Sequence, residues 1–219
     1  MQPIQGIHHI SVMASDPQRN IDVDTRILGQ RFIKRTNNFD APGTYHLYYG
    51  DNVGSPGTIM TYLPWPGAQR GRVGNGEVAA SAYNILPSSV AYWQVRLQAH
   101  GVDGLTTEKR FGADVLAFED PDGMIVELIT HEGRPAPTYW ADGPIPEEHA
   151  LRAFHGVTIW VENADRTARL LTEQMGYTLV GAEDGDGGRR LRFKGASDDH
   201  GMVVDLSLIH ISEPTRPTR

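Results

Sequence analysis

The sequence predicts an α+β fold built from tandem βαβββ units, and three observations lead to this class. Strand-length runs of β-branched and aromatic residues alternate with short helix-like segments, with Gly, Pro and Asp turns between them. The order strand-helix-strand-strand-strand recurs along the chain. Residues 8–13 (HHISVM) also align with residues 155–160 (HGVTIW), at an offset of 147 residues. Because self-similarity at a fixed spacing is typical of an internal repeat, we expect curved mixed sheets made from repeated units.

The first predicted unit begins with a strand at residues 6–13, where β-branched and polar residues alternate. Asp16 and Pro17 are typical of a helix start, and a short helix is predicted at residues 20–28, before Gly29. Aromatic and β-branched runs predict three further strands, at residues 31–36, 45–50 and 58–63.

The second predicted unit repeats this order. A strand at residues 77–85 precedes a helix that opens at Pro87 and runs to about His100. Further strands are predicted at residues 104–109, 114–119 and 124–130. The last two are joined by Asp-Pro-Asp-Gly, in which proline fixes φ and glycine tolerates positive φ, as a tight turn requires.

The third predicted unit follows a segment rich in Pro, Gly and charged residues at 132–149. A strand at 153–161, a helix at 164–175 and strands at 177–180, 189–194 and 202–206 complete it. We therefore predict a first domain of two units at residues 4–131, a linker at 132–150, and the start of a second domain at 151–205.

The C-terminal residues predict an interruption of the natural sequence. Residues 206–216 read LSLIHISEPTR, which resembles the translation of a transposon-end adapter used in DNA library preparation. We expect residues 206–219 to be an artefactual tail and the natural protein to continue past Asp205 with a fourth unit.

Composition narrows the classes of function. The 219 residues include no cysteine, so a metal would be held by His, Asp or Glu, and this favours Fe(II), Mn, Ni or Zn. The net charge of −7 and the absence of a Lys/Arg run argue against nucleic acid as a partner. No apolar stretch reaches the roughly 20 residues of a membrane span, and no signal peptide is recognisable, so a cytoplasmic protein is expected.

Five motifs, in this order, resemble those of the vicinal-oxygen-chelate superfamily, which includes glyoxalase I, extradiol dioxygenases and bleomycin-resistance proteins. The match is most similar to its ring-cleaving dioxygenases of the hydroquinone and catechol type, and it covers nearly all of residues 4–205. The motifs are GIHHIS (6–11), NFDAPGTYHLYYGD (38–51), TYLPWPGAQRGRVGNG (61–76), FEDPDGMIVELI (118–129) and LRAFHGVTIWVE (151–162). One local departure is Val23-Asp24, where the family typically has a Phe-Tyr pair.

The resemblance implies a four-unit protein that holds Fe(II) with two histidines and one carboxylate. It implies that His9, the second histidine of GIHHIS, is the first ligand, and that the other His and the Glu belong to the fourth unit. Mn, Zn and Ni are alternative metals. The implied substrates are a small aromatic diol and O2, and a homodimer is possible.

The residues alone leave the roles of His8 and His9 open. Neighbouring side chains on a regular strand point to opposite faces, so we expect only one of the two to face a pocket. His8 aligns with His155 of the third unit, which suggests a shared structural role, whereas His9 aligns with Gly156. His9 is therefore the better ligand candidate, although an exposed strand histidine is the plain alternative. His8 and Ser11 are candidates for contact with the substrate or support of the ligand, and packing is their alternative.

Glu127 is the second metal-ligand candidate. It lies in apolar company on the last predicted strand of the second unit, where a carboxylate needs either a metal or a polar partner. Both alternatives stay open at the level of the sequence.

The predicted function is Fe(II)-dependent, extradiol-type cleavage of a hydroquinone or catechol ring. A glyoxalase-like isomerase with Zn or Ni and a Glu base is one alternative, and a metal-free binding protein is another. Because only one ligand of the implied triad is present, we expect the 219-residue chain to be inactive on its own.

Overall fold

The computed structural model describes residues 4–68, 74–132, 138–185, 188–197 and 200–208. Within these residues the order β-α-β-β-β occurs three times, as the sequence predicts. The first unit comprises β1 (His9–Ala14), α1 (Pro17–Asp22), β2 (Arg31–Asn37), β3 (Tyr45–Gly50) and β4 (Ile59–Pro64). The second comprises β5 (Val78–Ile85), α2 (Val90–Ala99), β6 (Thr106–Arg110), β7 (Ala113–Glu119) and β8 (Ile125–Thr130). The third comprises β9 (Arg152–Val161), α3 (Asp165–Arg169), β10 (Thr178–Gly185), β11 (Gly188–Lys194) and β12 (Val203–Leu208).

The helices of the first and third units differ from the predicted single helices. α1 begins at Pro17 because the Asp16 side chain caps it by accepting from the Arg19 backbone N–H. It then passes into a π-helical turn at Val23–Ile27, and α3 passes into a π-helical turn at Leu170–Gln174. The two turns are separated by the same 147 residues as the sequence repeat, so the repeat extends to an unusual detail of the backbone.

Two strands are longer than predicted. β10 reaches Gly185 because it forms a full hairpin with β11, whereas the sequence indicated a strand only at 177–180. β12 runs to Leu208, so residues 206–208 of the predicted tail belong to a paired strand. Residues 209–219 of that tail and residues 133–137 of the predicted linker lie outside the described residues.

The strands form two sheets. The first unit forms a four-stranded sheet in the order β1-β4-β3-β2. The second and third units share an eight-stranded sheet in the order β10-β11-β12-β9-β5-β8-β7-β6, joined by antiparallel pairing of β5 with β9. Strand pairing therefore crosses the predicted linker and leaves the first unit with a sheet of its own.

The largest apolar core joins the first unit to the second. It buries side chains from both sheets together with α2, among them Tyr49, Tyr62, Tyr83, Trp93, Phe118 and Phe154. Full burial of a large apolar side chain contributes roughly 1.5–3 kcal/mol, so this core holds the two sheets together. A second core lies between α3 and the sheet of the third unit. Within the described residues, no helix has both the length and the apolar character needed to cross a membrane.

Candidate functional site

His9 and Ser11 lie on the exposed face of β1. Along this strand His9, Ser11 and Met13 are exposed, and the residues between them are at least partly buried against the core. This alternation follows from the pleat of a strand. The first sheet therefore has one face in the core and one face that carries His9.

Further polar side chains extend this face across the sheet. Ser11 pairs with Thr61 on β4, and Thr61 pairs with Tyr48 on β3. Thr61 Oγ1 donates a hydrogen bond to Ser11 Oγ at 2.9 Å, and Tyr48 Oη lies 2.9 Å from His46 Nδ1. We call His9, Ser11, Thr61, Tyr48 and His46 together the His9 face.

His8 lies beside His9. The two Nδ1 atoms are 3.2 Å apart, and the rings meet nearly at right angles, at 88°. The strand alternation that predicts opposite faces does not apply to this pair, because β1 begins only at His9. The structure thus places His8 against His9, and Ser11 follows on the same exposed face of β1 as His9.

His46 and Thr36 add polar atoms that have no protein partner. Among the described residues, His46 Nε2 and Thr36 Oγ1 are buried without a hydrogen bond. Burial lowers the pKa of the His46 imidazole, and the electrostatic effect of its neighbours His9 and Lys34 lowers it further. Sequence reasoning did not single out His46 or Tyr48 as site residues, because their position beside Ser11 depends on strand register across two ladders.

Glu127 lies elsewhere, on β8 of the eight-stranded sheet. Both of its carboxylate oxygens accept from Arg110 Nη1 at 2.9 Å, and Arg110 also donates to Glu108. Glu127 and Arg110 are each 4% exposed. The structure does not bring Glu127 to His9, and the polar partner that the sequence left open is Arg110.

Strand register shows how the three units differ at matching positions. On the last strands, Thr61, Glu127 and Asp205 match, because they pair with Ser11, Ala82 and Thr158 respectively. Two residues earlier on the first strands, the matching positions hold His9, Ala80 and Gly156. The unit with the histidine therefore lacks the acid, and the two units with the acid lack the histidine.

Asp205 is neutralised in the same way as Glu127. Its two oxygens accept from Arg192 Nε and Nη2, each at 2.8 Å. Within the described parts of the chain, no three His, Asp or Glu side chains come together as a metal site. His9 is thus a candidate ligand without a complete set of partners, and these residues do not by themselves fit the implied triad.

The free edge of β1 is next to His9. Among the described residues β1 pairs only with β4, whereas β5 and β9, the first strands of the other units, pair with each other. An unpaired strand edge presents backbone N–H and C=O groups that another strand can use. The structure therefore offers a position beside His9 for the first strand of a further unit.

Fold and repeat together define a class of protein. The chain belongs to the Glyoxalase/Bleomycin resistance protein/Dioxygenase superfamily, whose family model matches residues 6–128.

Two relatives have names that refer to dioxygenases. MhqO of Bacillus subtilis (strain 168), which carries a provisional name as a ring-cleaving dioxygenase, is 41% identical over 206 residues, or 94% of this chain and 64% of the relative. The chlorohydroquinone/hydroquinone 1,2-dioxygenase of Sphingobium indicum is 31% identical over 217 residues, or 98% of this chain and 65% of the relative. The chain thus spans slightly less than two thirds of each.

Solved structures also match over most of this chain. A crystal structure of a provisionally named dioxygenase from Bacillus subtilis has a TM-score of 0.87 and 39% identity, and the match covers 96% of this chain and 66% of that one. Glyoxalase I from Zea mays has a TM-score of 0.66 at 16% identity, with 92% and 66% covered. The similarity to the maize enzyme shows a shared fold and nothing further.

Proposed function

We propose that this chain comprises three units of a ring-cleaving dioxygenase that uses Fe(II) and acts on a hydroquinone or catechol. His9 would be one metal ligand, and the remaining ligands would come from a further unit paired along β1. The names of the two relatives, one a ring-cleaving dioxygenase and the other a chlorohydroquinone/hydroquinone 1,2-dioxygenase, support the reaction class.

The observation that carries this proposal is the position of His9. It is exposed on the polar face of the sheet whose first strand has a free edge among the described residues. In the eight-stranded sheet the same edge is used, since β5 pairs with β9 and brings two units together. A unit that paired with β1 in the same way would bring its own last strand towards His9. An acid at the position of Glu127 or Asp205 in that unit would supply the carboxylate.

The eight-stranded sheet is a poorer location for the metal. Its two matching acids, Glu127 and Asp205, each give both oxygens to an arginine of their own unit. A carboxylate in a close ion pair with arginine would have to lose that partner before it could bind a cation. Ala80 and Gly156 also leave both units without an imidazole at the position of His9.

The residues of the His9 face suit recognition of an aromatic diol. Fe(II) held by two imidazoles and a carboxylate would supply open positions for substrate oxygen and O2. His8, 3.2 Å from His9, would hold the ligand ring in orientation. The Tyr48 hydroxyl, which lies 2.9 Å from His46 Nδ1, would bind a substrate hydroxyl.

An oxygen electrode tests this proposal. We expect no Fe(II)-dependent O2 uptake with hydroquinone from the 219-residue chain, and uptake from an extended chain that carries a fourth unit taken from MhqO. In the extended chain His9→Gln should abolish uptake, because a lost metal ligand removes the reacting centre. Rapid uptake by the 219-residue chain, or full uptake by the His9→Gln variant, would contradict the proposal. Conversion of a thiol hemiacetal without O2 uptake would instead indicate the glyoxalase-like alternative.

A further inference from the structure

One face of the eight-stranded sheet lines a cavity of about 300 Å³ that the proposed reaction does not use. Strands of both the second and the third unit contribute to its lining, which includes Ala80, Arg110, Ile125, Thr158, Trp160 and Arg190. The cavity is on a different sheet from His9. It therefore raises the question of what its charged lining could bind.

The charged groups around the cavity are not evenly paired. On the side of the second unit, Arg110 forms ion pairs with two carboxylates, those of Glu127 and Glu108. On the side of the third unit, two guanidinium groups, Arg190 and Arg192, share one carboxylate, that of Asp205. The side of the third unit thus carries one more positive than negative charge, and the side of the second unit carries one more negative than positive charge, so the six groups are neutral overall.

Of the two arginines on the side of the third unit, Arg190 is the less well paired. Asp205 already gives both oxygens to Arg192, so Arg190 Nη1 is left 4.0 Å from Asp205 Oδ2. Among the described residues its one hydrogen bond donates from Nη1 to Thr158 Oγ1 at 3.2 Å. Burial and the neighbouring charge of Arg110 lower the pKa of Arg190, although the carboxylates of Asp205, Glu127 and Glu108 act in the opposite direction. A guanidinium has five N–H donors, so most of the Arg190 donors have no hydrogen-bond partner among the described residues and can bind a ligand in the cavity.

We propose that Arg190 and Thr158 bind the carboxylate of a small organic acid in this cavity. A planar guanidinium matches a carboxylate with two parallel hydrogen bonds. Thr158 Oγ1 accepts from Arg190 and so keeps its own O–H to donate to the same anion. The ligand carboxylate would accept from the Arg190 donors that have no partner among the described residues.

The rest of the lining indicates the nature of the acid. Trp160, Ala80 and Ile125 provide aromatic and apolar surface in the same cavity, which suits the hydrocarbon part of a monocarboxylate. A multiply charged anion such as phosphate fits less well, because three carboxylates, those of Glu108, Glu119 and Glu127, also line the cavity. Benzoate combines one carboxylate with one ring and is therefore the first probe.

Isothermal titration of the metal-free chain with benzoate tests this site. We expect saturable binding of one benzoate per chain, and a loss of roughly 10- to 100-fold in affinity for Arg190→Met, as for a removed charged hydrogen bond. Arg189→Met is the matched control, because Arg189 is exposed on the same strand and points to the opposite face. The Arg189→Met variant should bind benzoate with the same affinity as the original chain.

A second measurement does not depend on the fold of a variant. Benzoate should protect Arg190 of the unaltered chain from modification by phenylglyoxal, read by mass spectrometry, and should leave Arg189 unprotected. Absence of saturable benzoate binding, equal affinity in Arg190→Met, or equal modification of Arg190 with and without benzoate would overturn the proposal. Because no metal or O2 enters either measurement, its failure is distinguishable from failure of the proposed dioxygenase function.

Discussion

At the scale of single residues, Asp24 is the clearest departure from expectation. It is 0% exposed, and it lies where the family resemblance implies an aromatic side chain. Asn20 Nδ2 donates to its Oδ2 at 3.2 Å, whereas Oδ1 has no hydrogen bond among the described residues. Burial raises the pKa of Asp24 well above its ordinary value, and the charge of Asp120 raises it further. Asp24 therefore stabilises the fold less than a neutral side chain would.

The substitution Asp24→Asn should stabilise the chain at neutral pH. A carboxyl whose pKa is higher in the folded state than in the unfolded state holds its proton longer when folded. The free energy of unfolding therefore falls as pH rises from about 4, the unfolded pKa of Asp, towards the folded pKa. Asn removes this fall and should raise the free energy of unfolding at pH 7 by about 1–3 kcal/mol. Urea denaturation between pH 5 and pH 8 measures the free energy of unfolding of both chains. The same pH dependence in the variant as in the original chain would contradict a raised pKa of Asp24.

The same scale shows what a sequence can and cannot say about single site residues. That His9 and Ser11 share one face of β1 was predictable, because alternation along one strand is local. The ion pair of Glu127 with Arg110 was not, because the two residues come from strands β8 and β6, which are not neighbours in the sheet. The sequence could state only that a buried carboxylate needs a partner.

At the scale of elements, the repeat was the most informative signal. The alignment at 147 residues correctly anticipated that matching strands and helices recur, and the two π-helical turns follow the same spacing. The turns themselves were not predictable, because a helical pattern of apolar residues does not distinguish α from π hydrogen bonding over one turn. The length of β10 was also missed, since it is set by pairing with β11 rather than by its own mostly exposed residues.

Gly156 explains why the third unit has no side chain where the first has His9. A Cβ atom at Gly156 would lie 2.0 Å from the carbonyl oxygen of Val203 on β12. β9 and β12 therefore approach too closely there for any side chain. The absence of a ligand histidine in the third unit has a steric cause.

The substitution Gly156→Ala should lower the free energy of unfolding by about 1–3 kcal/mol, because the β9–β12 ladder must open to admit the methyl group. Gly43→Ala is the control, since a Cβ at Gly43 meets no atom within 4 Å, and it should change stability by less than about 0.5 kcal/mol. Urea denaturation compares the two. Equal stability of both variants would mean that the close approach at Gly156 does not constrain the sheet.

At the scale of the whole molecule, the two sheets differ in completeness. The eight-stranded sheet joins two units at β5 and β9, whereas among the described residues the first sheet ends at β1. The first and second units share the largest core, and the division into a first domain of these two units and the start of a second stays a prediction. That the third unit pairs with the second was not predictable, since strand order depends on long-range pairing that a local pattern does not encode.

The free β1 edge should cause the 219-residue chain to self-associate. The carbonyls of His8 and Ala14 accept bonds from the segments flanking β4, so the backbone of the odd-numbered residues faces the free edge. Met13→Pro removes an edge donor without breaking the β1–β4 ladder, and should yield a monomer. Met13→Thr keeps the donor and should associate like the original chain. Analytical ultracentrifugation measures both, and association of the proline variant would show that β1 is not the contact.

Iron retention tests the central claim most directly, because that claim places a metal ligand at His9 and the remaining ligands outside these three units. Anaerobic loading with Fe(II), followed by desalting and metal analysis, compares the 219-residue chain with the chain extended by a fourth unit from MhqO. We predict stoichiometric iron only in the extended chain, its loss in His9→Gln, and its retention in Glu127→Gln. Tight iron binding by the 219-residue chain that disappears in Glu127→Gln, or unchanged binding in the extended His9→Gln variant, would contradict the claim.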